Sequence, residues 1–340
     1  MSNLDWKNLP FGYHKTHYNV RCYWRNGVWG QLEVSSSETI NIHIAATSLH
    51  YGQECFEGLK AFRGKDGKVR VFRWQENAKR MQNSNKGLMM PQIPSEIFGA
   101  AMVKAIELNQ DFIPPFGSGA SLYIRPLMIG TGPQIGVKPA EEYLFMILVT
   151  PVGPYFKEGF NPVDIVIMRD VDRAAPNGTG NIKAGGNYAA SLVAGQRAKN
   201  DGFAAVLYLD PKEKKFLDEC GPANFFGIKN NTYITPQSNS ILPSITNMSI
   251  MVLAKDMGMT VEQRRVEVTE LPDFEECGEC GTAAVITPIR RIYDADTNKE
   301  YTYTKDNQPG PICIKLYTEL RGIQYGEIPD RYGWNTVIDL

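Results

Sequence analysis

Apolar and polar positions alternate in short pieces through residues 20–75, and the pieces break at Asn26-Gly27 and Asp66-Gly67, dipeptides suited to tight hairpin turns. The chain therefore opens with antiparallel strands. The period then lengthens. Residues 76–88 are polar with no helix breaker, and 95–109 place Phe98, Met102, Ala105 and Ile106 on one face behind a Ser95 cap, so two helices are predicted. Residues 121–129 and 143–150 are apolar runs of strand length. Three prolines and two glycines in 151–162 interrupt any period and mark a connection between domains.

Beyond it the pattern predicts a strand at 163–169, a glycine-rich loop, and a helix from about Tyr188 that stops at Gly202. Strands at 204–209, 216–220, 224–228 and 232–235 follow. A helix over 247–258 aligns Ile250, Leu253, Ala254 and Met257 and ends at Gly258; a last one over 311–325 aligns Cys313, Leu316, Tyr317 and Leu320. Such stripes are core positions. The reading is an α/β protein with a small domain over 1–150, a loop over 151–162 and a large domain over 163–340, each long enough for its own core.

Thirty-six Lys and Arg against 37 Asp and Glu leave a formal net charge of −1, which gives no reason to expect nucleic acid or an acidic membrane surface as a partner. The first ten residues lack an apolar signal core, and the longest apolar run, 143–149, is too short to span a bilayer. Six scattered cysteines in a chain of this size argue for reduced thiols and a cytoplasmic protein. Cys277 and Cys280 form a CxxC pair, but no second pair or nearby His completes a zinc site, so no metal is expected; whether the two can bond is open.

One amine is placed for chemistry. Lys183 lies in Gly-Thr-Gly-Asn-Ile-Lys-Ala-Gly-Gly-Asn-Tyr, where small neighbours let a flat ligand approach the backbone and few charges compete for the proton. The bland alternative is a solvated loop lysine. Glu219, at a strand end, could steady a protonated ring nitrogen, or be an exposed charge. Ser244-Ile245-Thr246 opens a helix whose free N–H groups could cradle a phosphate, or is an ordinary Thr cap. Thr282, in Cys-Gly-Thr-Ala-Ala, offers a hydroxyl and backbone donors, and Arg80 could complete an anion site or be solvated.

Taken as a set, these groups resemble the apparatus that binds pyridoxal phosphate. The segments Leu-His-Tyr-Gly-Gln-Glu-Cys-Phe-Glu-Gly-Leu-Lys-Ala-Phe (49–62), Leu-Tyr-Ile-Arg-Pro (122–126), Pro-Val-Gly-Pro-Tyr-Phe (151–156), Lys-Ala-Gly-Gly-Asn-Tyr (183–188), Leu-Asp-Glu (217–219) and Gly-Thr-Ala-Ala (281–284) resemble, in order, those of branched-chain amino acid aminotransferases. The resemblance implies a fold-type IV pyridoxal-phosphate enzyme: a small α/β domain, a connecting loop and a larger α/β pseudo-barrel domain. It implies that Lys183 carries the cofactor as an aldimine and shuttles the proton, that Tyr188 bonds its phenolic oxygen, and that Glu219 pairs with its ring nitrogen. Arg80, Ile245, Thr246 and Thr282 would hold the phosphate. Phe56, Tyr123, Tyr155 and Tyr188 would line the side-chain pocket, with Tyr51 and Val137 reaching in from the partner of a homodimer. The N–H groups of Thr282 and Ala283 would meet the substrate α-carboxylate, and Arg125 the side-chain carboxylate of glutamate. The implied reaction exchanges the amino group between L-leucine, L-isoleucine or L-valine and 2-oxoglutarate.

Two departures stand out. Vertebrate members carry a redox CxxC just after the Gly-Thr-Ala turn, where this chain has Ala284 and Thr287; and Pro222 replaces a residue that is commonly polar. A D-amino-acid aminotransferase or an aminodeoxychorismate lyase would share Lys183 and Glu219, but the 57–62 and 123–126 segments favour the branched-chain reading. A dinucleotide-dependent oxidoreductase is disfavoured because Gly178-Thr-Gly180 lacks the third glycine at its required spacing. A non-catalytic binding protein is the third alternative.

Overall fold

The computed structural model describes residues 4–155, 160–304 and 306–340. Backbone packing divides the chain into two compact units. The first comprises Met1–Pro154, Ile182–Gly185 and Gly322–Leu340, and the second Tyr155–Asn181 and Gly186–Arg321. The Lys183 segment and the C-terminus thus pack with the first half of the chain, although both lie within the 163–340 region of the sequence division. Of the expected connection, Pro151 and Val152 belong to a strand, and residues 156–159, Phe156 included, lie outside the described residues.

The first unit begins with strands β1 (Asn19–Arg25), β2 (Val28–Trp29) and β3 (Glu33–Ser35), a short helix α1 (Thr47–Tyr51), then β4 (Glu54–Phe56), β5 (Leu59–Arg63) and β6 (Val69–Phe72). Helices α2 (Trp74–Gly87) and α3 (Ser95–Leu108) and the long hairpin β7 (Ser121–Gly130) and β8 (Tyr143–Val152) complete its main run. Both turn signals hold. Asn26 and Gly27 take φ of 52° and 80° between the paired residues Arg25 and Val28, the mirror-image turn that matches strand twist, and Gly67 turns β5 into β6 at φ 80°. The face of α3 predicted to be apolar packs Phe98, Met102 and Ile106 with Met81 of α2 against Val20, Ile124, Phe145 and Ile147 of the sheet. Ser95 is not the cap. Pro94 occupies that position, its extended ψ of 140° turning the chain into the helix, and the Ser95 hydroxyl accepts a bond from Gln82 instead.

The second unit holds β9 (Val163–Ile167), α4 (Gly185–Asn200), β10 (Ala205–Leu209), β11 (Leu217–Cys220), β12 (Ala223–Lys229), β13 (Thr232–Pro236), α5 (Ile245–Asp256), β14 (Thr260–Arg264), β15 (Glu276–Gly281), β16 (Val285–Asp294) and β17 (Lys299–Thr302). Strands β11, β10, β9, β16, β15 and β12 neighbour one another in that order, and β12 pairs back to β11, so the sheet closes on itself as a barrel. Side chains alternate across a strand. One face therefore fills the barrel with Ile165, Leu207, Leu209, Phe225, Cys277 and Ile289, while the other carries Val166, Val206 and Tyr208 under the Ala194 and Ala198 face of α4. The helix begins at Gly185, three residues before the sequence signal, and Gly202, at φ 83°, follows its end.

The chain finishes with α6 (Pro311–Tyr325) and β18 (Asn335–Ile338), which pairs antiparallel with β6 and so adds an edge to the first sheet. This returning strand had no sequence signal, because four residues at a chain end are too few for a period.

Gly227 marks a point of tight packing in the barrel wall. A Cβ there would sit 2.6 Å from the Phe274 ring, which is itself core. Gly227→Ala is expected to cost about 1–3 kcal/mol through overpacking, read as a lower urea midpoint with an unchanged denaturant slope.

Candidate active site

In the first unit, Lys183 is tied by its backbone to two elements. Its N–H donates to Ser84 Oγ of α2 at 3.0 Å, and its carbonyl accepts from Phe56 N of β4 at 3.1 Å, while Ala184 bridges to Cys55. With the backbone fixed, the side chain runs over the Phe56 ring, Nζ 4.8 Å from its centroid. Burial in this setting, with the Arg80 cation as the next cause, lowers the amine to about 8. Glu57 and Tyr123 act the other way but do not prevail.

Arg80 is not a solvated helix arginine. Its Nε and Nη2 meet the two oxygens of Glu57 at 2.8 and 2.7 Å, a two-pronged clasp on a fully buried carboxylate that also accepts from Asn77 at 2.8 Å. The guanidinium is thereby aimed. Nearby, Arg125 stacks on Phe56 and Tyr123 at 4.6 and 5.2 Å from the ring centroids, donates to the Tyr123 hydroxyl at 3.2 Å, and keeps a buried Nε with no acceptor. An unmatched cationic N–H is suited to an incoming carboxylate.

In the second unit Glu219, on β11, is buried and lies 2.7 Å from Arg173 Nε. Arg173 Nη2 also donates to the carbonyls of Gly180, at 2.9 Å, and Ser240. One guanidinium thus links the glycine-rich loop before Lys183 to the carboxylate on β11. Asn187 adds a second tie, exchanging bonds of 2.7 Å with Thr179 in the same loop, and Tyr188 stands next to it in the first turns of α4. At α5 the cap is Ser244, whose Oγ accepts from Asn247 N at 3.2 Å, not Thr246. The N–H groups of Ile245 and Thr246 then have no acceptor within the helix, and both residues are buried, the condition for an anion site at a helix end. Thr282 and Ala283 form the turn between β15 and β16, which closes with Val285 at φ 62°, a strained value for a β-branched residue.

The remaining expected groups divide in two. Phe56 and Tyr123 flank Arg125, and the Tyr155 phenol is raised by burial, with lesser contributions from Glu279 and Tyr188. Tyr51, at the end of α1, and Val137, in the loop between β7 and β8, are 41% and 88% exposed, and the Tyr51 hydroxyl donates to the Ile135 carbonyl of that loop. The CxxC pair does not meet: Cys277 and Cys280 are three residues apart on β15, so they point to opposite faces of the sheet, and both are buried thiols. Glu57 and Arg173 were missed in the sequence. Glu57 stood inside a quoted segment, but nothing in the pattern paired it with an arginine 23 residues on, and Arg173 had no signal.

The family profile of amino-transferase class IV matches residues 54–292. The branched-chain-amino-acid aminotransferase of Haemophilus influenzae is 48% identical over 341 residues, 98% of each chain. A crystal structure of the Escherichia coli branched-chain amino acid aminotransferase superposes with a TM-score of 0.80 at 28% identity, covering 96% of this chain and 100% of that one. The T.th. branched-chain amino acid aminotransferase with pyridoxamine 5'-phosphate does so at 0.77 and 26%, covering 94% and 98%.

Removing the Glu57 carboxylate strands a buried cation. Glu57→Leu is expected to lower stability by about 3–5 kcal/mol in urea unfolding, and to push the Lys183 amine further down, because the one carboxylate that raises it is gone.

Proposed function

The chain belongs to the class IV amino-transferases, and from that premise we propose the roles of its residues in moving an amino group between branched-chain L-amino acids and 2-oxoglutarate. It is a branched-chain-amino-acid transaminase that uses pyridoxal 5'-phosphate; the D-amino-acid and lyase alternatives are not favoured by its relatives. The observation that carries the assignment of roles is the Lys183 amine, held at about 8 beside an aimed arginine.

The side chains fit the cofactor. Arg80 is a fixed cation, the buried N–H groups of Ile245 and Thr246 lack helical acceptors, and Thr282 adds a hydroxyl, a donor set suited to a phosphate. Glu219, kept beside Arg173, would accept the ring N–H and hold that proton on the nitrogen, and the Tyr188 hydroxyl would donate to the ring oxygen. When bound, pyridoxal phosphate supplies a carbonyl that takes the amino group and a ring that accepts electrons. Lys183 Nζ takes the substrate α-proton and hands one back, two tasks that suit an amine near 8, since it is then neither locked as ammonium nor too weak a base. The N–H groups of Thr282 and Ala283 would receive the α-carboxylate. Phe56, Tyr123, Tyr155 and Tyr188 would enclose a branched side chain, and Arg125, with its unmatched Nε, would receive the distal carboxylate of glutamate.

Replacing Lys183 by Ala is expected to lower turnover of L-leucine with 2-oxoglutarate by roughly three orders of magnitude or more, with added ethylamine restoring part of it. Full activity in that variant, or a preference for D-alanine over L-leucine, would overturn the assignment.

The working form is a homodimer in the cytoplasm. Ile44, Leu49, Ile135 and Val137 are 84%, 60%, 75% and 88% exposed and sit on α1, the segment before it and the adjoining β7–β8 loop, a patch that a second copy would cover while delivering Tyr51 and Val137 to its neighbour's pocket. The cysteines are free thiols and buried, in keeping with a reducing compartment, and no described helix is long and apolar enough to cross a membrane. Leu49→Asp with Val137→Asp is expected to give a monomer in sedimentation and to reduce activity by roughly tenfold or more.

A further inference from the structure

Glu219 and Asn224 face each other across a hairpin. Only Gly221 and Pro222 join β11 to β12, with Gly221 at φ 52°, so Cys220 pairs with Ala223 and Glu219 with Asn224. Directly opposed residues of an antiparallel pair send their side chains to the same face. Both are buried there. The Asn224 amide donates through Nδ2 to Glu219 Oε2 at 3.3 Å and to the Leu242 carbonyl at 3.2 Å, so both of its N–H bonds are committed and it cannot turn without giving them up. The other carboxyl oxygen meets different groups: Oε1 lies 2.7 Å from Arg173 Nε and accepts from Leu242 N at 3.5 Å. Arg173 thus brings the countercharge. Asn224 brings direction, because a donor on one oxygen and a cation at the other fix the rotation of the carboxyl group.

The far anchor of that amide is itself held. Ser238 and Ser240 donate their hydroxyls to the two oxygens of Asp218, next to Glu219 on β11, at 3.0 and 2.6 Å, and Arg173 Nη2 donates to the Ser240 carbonyl. Leu242 follows in the same loop, and Ser244, two residues on, caps α5. We propose that Asn224 is a positioning residue for the ring-nitrogen contact: its amide, anchored on Leu242, keeps the Glu219 carboxylate in the orientation that receives the ring N–H of the cofactor. The proposal rests on Glu219 as the ring-nitrogen partner. A carboxylate already held in place loses no rotational freedom when the ring arrives, whereas a free one does, and the difference appears as cofactor affinity. A ring that has no N–H to offer gains nothing from the arrangement.

The test measures, by titration calorimetry on the cofactor-free protein, the binding of pyridoxal 5'-phosphate and of its carbocyclic analogue, in which a C–H group replaces the ring nitrogen. The two share phosphate, aldehyde and ring size, so a variant that merely loosens the site weakens both alike. Wild-type protein is expected to prefer pyridoxal 5'-phosphate by roughly tenfold or more. Asn224→Ala is expected to lose roughly tenfold in affinity for pyridoxal 5'-phosphate and less than about threefold for the analogue, the loss of one hydrogen bond to a charged group felt only by the ligand that uses it. Asn224→Ser, which keeps a small polar side chain in the buried position, is read by the same ratio and should show the same selective loss at smaller amplitude. Equal losses for the two ligands in both variants would make Asn224 a structural residue and overturn the proposal, as would variants that bind pyridoxal 5'-phosphate as tightly as wild type. A wild-type protein that binds the two ligands equally would refute the role of Glu219 itself, and this inference with it.

Discussion

The first unit buries two cations near one anion, and the anion clasps Arg80 with both oxygens. Glu57 is fully buried and gives both oxygens to Arg80 in a clasp of 2.7–2.8 Å, and its pull on the Lys183 proton is outweighed by burial and by Arg80. Lys183 is that second cation. Its backbone is set by bonds to Ser84 and Phe56, and burial there, beside the Arg80 cation, favours its neutral form. The reactive amine is therefore a consequence of ordinary packing: α2 brings Arg80 and Ser84 to the same side of β4, and Gly185 lets the chain press close to Glu54.

The second unit solves the opposite problem, that of keeping a carboxylate charged while burying it. Arg173 answers Glu219 directly and directs another nitrogen to the Gly180 and Ser240 carbonyls, so the same group that preserves the charge also shapes the loop leading to Lys183. Glu279 is left unanswered, two strands away and on the other face of the sheet. These two buried acids differ in their surroundings: an arginine lies 2.7 Å from Glu219, whereas burial pushes the Glu279 carboxyl up.

Much of this was legible in the residues. Period-2 and period-3.6 stripes located most strands and helices within a few positions, since a half-buried element must segregate its apolar side chains, and the turn dipeptides predicted both hairpins. The closure of the barrel was not legible as geometry, because β11 and β12 pair through a tight turn while β9 and β16 meet across more than a hundred residues. Lys183, Glu219 and Thr246 were visible as candidates, yet each had a bland alternative that local sequence could not dismiss. What decided their character, burial beside the Glu57-held Arg80 for the amine and Arg173 for the carboxylate, comes from tertiary pairing, with Glu57 and Arg80 23 residues apart and Arg173 and Glu219 46, beyond the reach of any local pattern.

The claim beneath all of this is that the surroundings of the amine at position 183 bring its midpoint down toward neutrality before any ligand arrives. A pH titration of the protein without cofactor, with lysine side chains labelled with ¹³C at Cε and the resonance assigned through Lys183→Arg, reads that amine directly. The account predicts a midpoint near 8 for Lys183, set apart from the other lysines. A midpoint at the ordinary lysine value of about 10.4 would contradict it.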